Sequence, residues 1–166
     1  RRVCLEGATE PPRSGRFWLT ALESGGEKSA VREEEKPEGV YVCTLSGLPL
    51  FSSLDKFESH SGWPSFTQTI DCALLSYLEN HQRSGALKKE SRLVDTPHVL
   101  EVPDLRHGGV EVLCARTRTH LGHVFDDGPR VLRGRPASGR RYCVNAAALR
   151  FVPLSLANDA PALLSS

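Results

Sequence analysis

His120-Leu121-Gly122-His123-Val124-Phe125-Asp126-Asp127-Gly128-Pro129, followed after a spacer by Gly139-Arg140-Arg141-Tyr142-Cys143-Val144-Asn145, is the stretch that decides how this chain is read. Arg141 to Asn145 alternates polar with aromatic and β-branched residues, and Ala146 to Val152 continues as an apolar run. Residues 140–145 and 148–153 therefore read as two strands or one bent strand. His120 to Phe125 reads as the strand before them, and Asp126-Asp127-Gly128-Pro129 as a tight turn. Alternate residues of a strand share a face, so Arg141, Cys143 and Asn145 are expected on one side and Tyr142 and Val144 on the other. By the same alternation His120 and His123 point to opposite faces unless Gly122 kinks the strand.

A thiol, a fixed positive charge and an amide on one face, with imidazoles close by, are the parts of thiolate chemistry. A free thiol has a pKa of about 8.5, and a neighbouring cation lowers it. Arg141 is therefore expected to raise the thiolate fraction of Cys143. The competing reading is a buried strand cysteine serving as a small hydrophobe, the usual fate of a free cysteine. The polar face and the nearby histidines favour the reactive thiol.

Outward from this stretch the chain is a series of short segments. Residues 1–19 carry Cys4, Thr9-Glu10-Pro11-Pro12 and Ser14-Gly15 and read as an extended, turn-rich segment. Residues 20–38 are Gly, Glu and Lys rich, a solvated loop or short exposed helix. Val40 to Thr44 is β-prone, Ser46-Gly47 a turn, and Leu48 to Phe51 a second strand or its edge. Ser53 to Phe57 suggests a helical turn. Pro64 forces Trp63 into an extended conformation, which holds the indole at a defined angle, in a site or simply in the core. Cys72 to Arg83 has helical spacing, Leu93 to Val102 alternates, and 105–109 is a turn. Val110 to Cys114 is a strand, and 130–140, with four arginines, reads as a mobile basic loop. Short strands between Gly and Pro turns indicate a mainly β, antiparallel fold. One domain is expected over 1–154, with a possible insertion at 67–110, and 155–166 as a frayed tail.

Composition bounds the partners. The chain has 166 residues, 39% hydrophobic and 25% charged, enough for one domain with a real core. A net charge of +1 gives no reason to expect nucleic acid or an anionic membrane. No apolar run approaches the roughly 20 residues of a membrane span. Five cysteines, an odd and sparse set, argue against a disulfide scaffold and for a reducing compartment, the cytoplasm or the mitochondrion. A chain that opens on Arg1 and has no methionine is expected to be a processed or trimmed form.

His120 to Pro129 and Arg141 to Asn145 resemble the two signature stretches of the methionine sulfoxide reductase B family, and Lys56-Phe-Glu-Ser-His-Ser-Gly-Trp-Pro-Ser-Phe66 resembles a third. Weaker matches are Thr9 to Pro12, Gly39 to Cys43 and Pro49 to Phe51, all in the family's order. The resemblance implies two antiparallel sheets with a few short peripheral helices, and thiol-dependent reduction of methionine-R-sulfoxide, free or in proteins, as in protein repair under oxidative stress. In that chemistry a thiolate attacks the sulfoxide sulfur, the oxygen leaves that sulfur with proton donation, and the enzyme thiol ends as a sulfenic acid. Cys143 matches the nucleophile. His123, and less directly His120, supply or relay the proton. Asp127 orients a histidine or binds water, Asn145 fixes substrate or water, and Trp63 and Phe125 wall the substrate methyl.

The chain departs from the family pattern twice. Many members hold a structural zinc on two Cys-x-x-Cys pairs; here Ser46 and Thr117 replace one cysteine of each, leaving Cys43 and Cys114. No metal or other cofactor is expected, because a closed zinc site wants four Cys or His ligands. The recycling thiol that some members place before Gly-Trp-Pro is Ser61 here. Cys4 is the first alternative, ahead of Cys72, with direct reduction by an outside thiol next. Thioredoxin or dithiothreitol is the implied external reductant, and a monomer is expected. The competing class is an inactive binding module on the same scaffold.

Overall fold

The computed structural model describes residues 3, 6–14, 38–71 and 97–153. Cys4, Cys72 with its expected helix, nearly all of 20–38, and the tail lie outside the described residues. Eleven strands are described: β1 Gly39–Cys43, β2 Pro49–Ser52, β3 Lys56–Phe57, β4 Ser65–Phe66, β5 Val99–Pro103, β6 Val110–Cys114, β7 His120–Phe125, β8 Val131–Leu132, β9 Arg135–Pro136, β10 Arg141–Val144 and β11 Leu149–Pro153. They form a three-stranded sheet ordered β11-β1-β2, a six-stranded sheet ordered β3-β4-β10-β7-β6-β5, and a small β8-β9 hairpin. Every pairing is antiparallel. The mainly β, two-sheet architecture expected from the sequence is the one observed.

The apolar run after Asn145 resolves into two strands, not one bent strand. Asn145 opens a one-turn 3-10 helix, Ala146–Ala148, and the chain leaves the six-stranded sheet there to enter the three-stranded one as β11. The helical turn expected at Ser53 is a 3-10 turn, Ser53–Asp55, started by the Ser52 hydroxyl accepting from Leu54 N. The basic loop is a correction. Val131 and Leu132 pair with Pro136 and Arg135, and Arg140 is held by Glu101 in a two-pronged ion pair at 2.6 and 2.8 Å.

The period-2 alternation sets the core. Tyr41 and Cys43 of β1 face the six-stranded sheet, while Val40 and Val42 pack on the other side with Ile70 and Val152. Phe51 stacks on Phe66 with centroids 4.5 Å apart, and Tyr41 meets Phe66 edge-on at 5.0 Å. These rings join the two sheets, and full burial of each such side chain stabilises by about 1.5–3 kcal/mol. Tyr142 and Val144 point into the same core. Arg141 and Cys143 are thereby turned to the opposite face of the six-stranded sheet.

Strand β7 breaks the simple alternation. Its register with β6 runs Val110↔Val124, Glu111↔His123 and Val112↔Gly122, then shifts so that Leu113 pairs with His120. Leu121 is the extra residue of a β-bulge. Leu121 and Val124, three apart, both enter the core. His120 and His123, also three apart, both reach the outer face, with ring centroids 5.6 Å apart. The expectation of opposite faces holds for a regular strand and fails at this bulge, beside Gly122 as the conditional reading allowed.

Candidate active site

Strand pairing assembles a polar row across the outer face. Cys143 on β10 lies opposite Ser65 of β4 on one side and His123 of β7 on the other, and Glu111 of β6 lies beyond His123. Directly opposed residues have Cβ atoms about 4.5–5.5 Å apart, so the thiol and the imidazole are neighbours through the backbone register itself.

The Cys143 sulfur is half-buried and lies 3.7 Å from the Ser61 hydroxyl. Ser59 bonds both Ser61 and Ser65, at 2.8 and 2.7 Å, so the thiol faces a small hydroxyl cluster. Burial pushes the thiol pKa up; the Ser61 hydroxyl and the Arg141 charge pull it down by less. Arg141 thus lowers the thiol pKa, as the sequence reading expects, and burial outweighs it. The guanidinium acts on Cys143 but is held mainly by other groups: Nε and Nη2 donate to the two Asp127 oxygens at 2.8 and 2.9 Å, and it stacks 4.4 Å over Phe125. Asp127 accordingly holds Arg141 and not a histidine. Phe125 stays 43% exposed, a flat apolar surface backed by the arginine.

Each histidine has its own carboxylate. His123 Nε2 lies 2.8 Å from Asp104 Oδ2, and His120 Nδ1 lies 2.6 Å from Glu111 Oε1. His120 is buried, and its Nε2 has no hydrogen-bond partner among the described residues.

Asn145 is taken up by backbone. Its Nδ2 donates to Leu121 O at 3.0 Å, pinning the bulge, and its Oδ1 accepts from Glu10 N at 2.9 Å. Glu10 then receives the Trp63 indole N–H on its carbonyl at 3.0 Å, and its carboxylate accepts from Ala146 N and Ala147 N at 2.6 and 3.0 Å. Residues 6–14 thus lie as a strap that sets the angle of Trp63. Arg13 N also donates to Gly62 O at 2.7 Å, where a Cβ on Gly62 would press on Pro12 at 2.8 Å.

Away from this face, the β1–β2 and β6–β7 turns meet at a corner. Cys43 Sγ is 3.8 Å from Thr117 Oγ1, and Ser46 Oγ is 3.5 Å from Cys114 Sγ. The Cys43–Cys114 hydrogen bond pushes the Cys114 thiol down and the Cys43 thiol up, burial adding to the latter. Two buried thiols and two neutral hydroxyls do not make the donor set of a closed zinc site.

A model of the SelR domain matches the chain in two stretches, residues 1–93 and 91–153. The chain belongs to the SelR domain family. That is the methionine-R-sulfoxide reductase B family, whose members act on methionine sulfoxide, and the assignment supports an oxidoreductase role. No helix among the described residues is long and apolar enough to cross a membrane.

Of the residues expected at the site of this SelR domain, Cys143, His123, His120, Arg141 and Phe125 share the outer face. Trp63 and Asn145 are joined to each other through Glu10. Asp104, Glu111 and Glu10 were not anticipated. The signals were slight: an Asp opening the turn at 104–109, a Glu at an outward position of β6, and a Glu between Thr9 and Pro11.

Proposed function

We propose that this chain reduces methionine-R-sulfoxide, free or within proteins, to methionine, with Cys143 as the nucleophile. The observation that carries the reading is the register pairing of Cys143 with His123 on the face that also presents Phe125. The Cys143 sulfur attacks the sulfoxide sulfur while its proton passes to the sulfoxide oxygen through His123. The attack forms an S–S bond as the substrate S–O bond breaks and the protonated oxygen leaves as water; water then adds to the Cys143 sulfur, and the S–S bond breaks with its electron pair going to the substrate sulfur. One thiol and one sulfoxide become one sulfenic acid and one thioether, so atoms and electrons balance.

The raised thiol pKa suits this order of events. A resting neutral thiol carries the proton that the oxygen needs, and deprotonation accompanies attack. Trp63 and Phe125 hold the substrate methyl, and Asn145 holds the bulge that brings His120 beside His123. An internal thiol, Cys4 first, then condenses with the sulfenic acid and releases water; thioredoxin or dithiothreitol reduces the disulfide. No resident metal takes part.

The test is incubation with a racemic methionine sulfoxide derivative and dithiothreitol, with the residual substrate resolved by chirality. Loss of the R epimer alone is expected. Loss of neither epimer points to a binding module on this scaffold, and loss of both contradicts the R-specific reading.

A further inference from the structure

The segment between Pro103 and Val110 contributes a charged group to the site through its first residue. Asp104 opens a tight turn in which Gly108 N donates to Asp104 O at 2.9 Å and Asp104 N donates to Gly109 O at 3.0 Å. Its Oδ1 accepts from Arg106 N and His107 N at 2.9 and 3.0 Å. Its Oδ2 meets His123 Nε2 at 2.8 Å and lies 3.2 Å from His107 Nδ1. Four partners fix the carboxylate, and its side chain is only 9% exposed. The His123 hydrogen bond first, and the two backbone donors next, hold its pKa well below the ordinary carboxylate range.

An imidazole on a strand retains a broad, two-fold rotation about χ2 unless a partner holds it. With Nε2 engaged by Asp104, Nδ1 is the nitrogen left to meet a substrate oxygen beside Cys143. We propose that Asp104 is a positioning residue of the sulfoxide reduction, a carboxylate that locks the His123 ring through Nε2 so that Nδ1 delivers the proton. The proposal rests on the sulfoxide-reductase reading above. The exposed turn from Leu105, 95% accessible, to Gly109 then serves to aim one carboxylate inward.

The test uses the full chain and two readouts. The first is steady-state kinetics of Asp104→Asn, which keeps an acceptor for the turn amides, against Leu105→Ser as a turn control. A positioned proton donor contributes roughly 10²–10⁴-fold, so a kcat loss of at least about tenfold is expected with KM nearly unchanged. Leu105→Ser keeps parent kinetics. The second is proton NMR of histidine-15N-labelled protein. The parent is expected to show a downfield, slowly exchanging His123 Nε2–H resonance, assigned by its loss in His123→Gln. Asp104→Ala loses it too, while thermal unfolding remains cooperative.

Parent kcat in Asp104→Asn, a loss confined to KM, or a ring N–H still protected in Asp104→Ala would each overturn the proposal. A parent protein inert toward both sulfoxide epimers would instead overturn the functional reading, and this proposal with it. An active parent with an equally active Asp104→Asn overturns the proposal alone.

Discussion

Gly122 of β7 lies against the backbone of Cys143 on β10 with no space for a side chain between them. A Cβ at Gly122 would overlap the Cys143 carbonyl oxygen and press on the Val144 Cα at 3.0 Å. The same residue adjoins the Leu121 bulge that puts His120 and His123 on one face. Close approach and bulge are parts of one device, which delivers two imidazoles and a thiol to the same side of the sheet.

Gly122→Ala is therefore expected to separate β7 from β10. Overpacking of this kind costs about 1–3 kcal/mol, read as a lowered urea midpoint at unchanged m-value. Sulfoxide turnover should fall by more than the fraction unfolded explains, because the Cys143–His123 distance itself is disturbed. Parent stability and turnover would show that the approach is not needed.

The Cys143 thiol supplies a pH prediction with a definite sign. Burial raises its pKa, so the thiolate is scarcer at neutral pH than for a free thiol. Alkylation by iodoacetamide should climb with pH through a midpoint above about 8.5, the ordinary value. Arg141 contributes in the lowering direction, so Arg141→Ala should move the midpoint further up. A midpoint below the ordinary value in the parent would contradict this balance.

Much of the fold was legible because period-2 alternation is strong in exposed-on-one-side antiparallel strands. β1 and β6 fall where valines alternate, and β10 is marked by Tyr142 and Val144. The bulge was not legible, since Leu121 looks like any strand residue and only the β6 register shows it to be extra. The desolvation of Cys143 was not legible for a similar reason. Sequence places Arg141 beside the thiol but does not reveal that Asp127 claims its guanidinium, nor that desolvation outweighs its charge. Asp104 sits nineteen residues before His123, and nothing local in the chain announces that they meet.

The corner of Cys43, Ser46, Cys114 and Thr117 bears on metal content. Purified protein should contain no stoichiometric zinc, and its melting temperature should be unchanged by a strong chelator. Replacing Ser46 and Thr117 together by cysteine should create a site that takes up zinc and raises the melting temperature. About one zinc per parent chain by elemental analysis would contradict the reading.

Recycling is expected to use Cys4. Ser61 occupies the position of the alternative thiol, and Cys43 and Cys114 are fully buried at the remote corner. A disulfide needs Cα atoms within about 7 Å, which strand residues cannot travel to achieve. Residues 6–14, just after Cys4, are anchored at Trp63 and Asn145, beside the site. Cys4→Ser should complete one turnover and keep dithiothreitol-driven cycling, but lose most thioredoxin-driven cycling. Thioredoxin-driven cycling at the parent rate would transfer the role to Cys72 or to direct reduction.

The most direct test of the central claim is a single turnover without reductant, comparing the parent with Cys143→Ser on methionine-R-sulfoxide. The parent should release about one methionine per chain, with peptide mapping placing the oxidised sulfur at Cys143 as sulfenic acid or in a disulfide. Cys143→Ser should fold normally and release none, since a hydroxyl is a far weaker nucleophile than a thiolate. Methionine released by Cys143→Ser at a rate near the parent's would remove Cys143 from the chemistry and contradict the account.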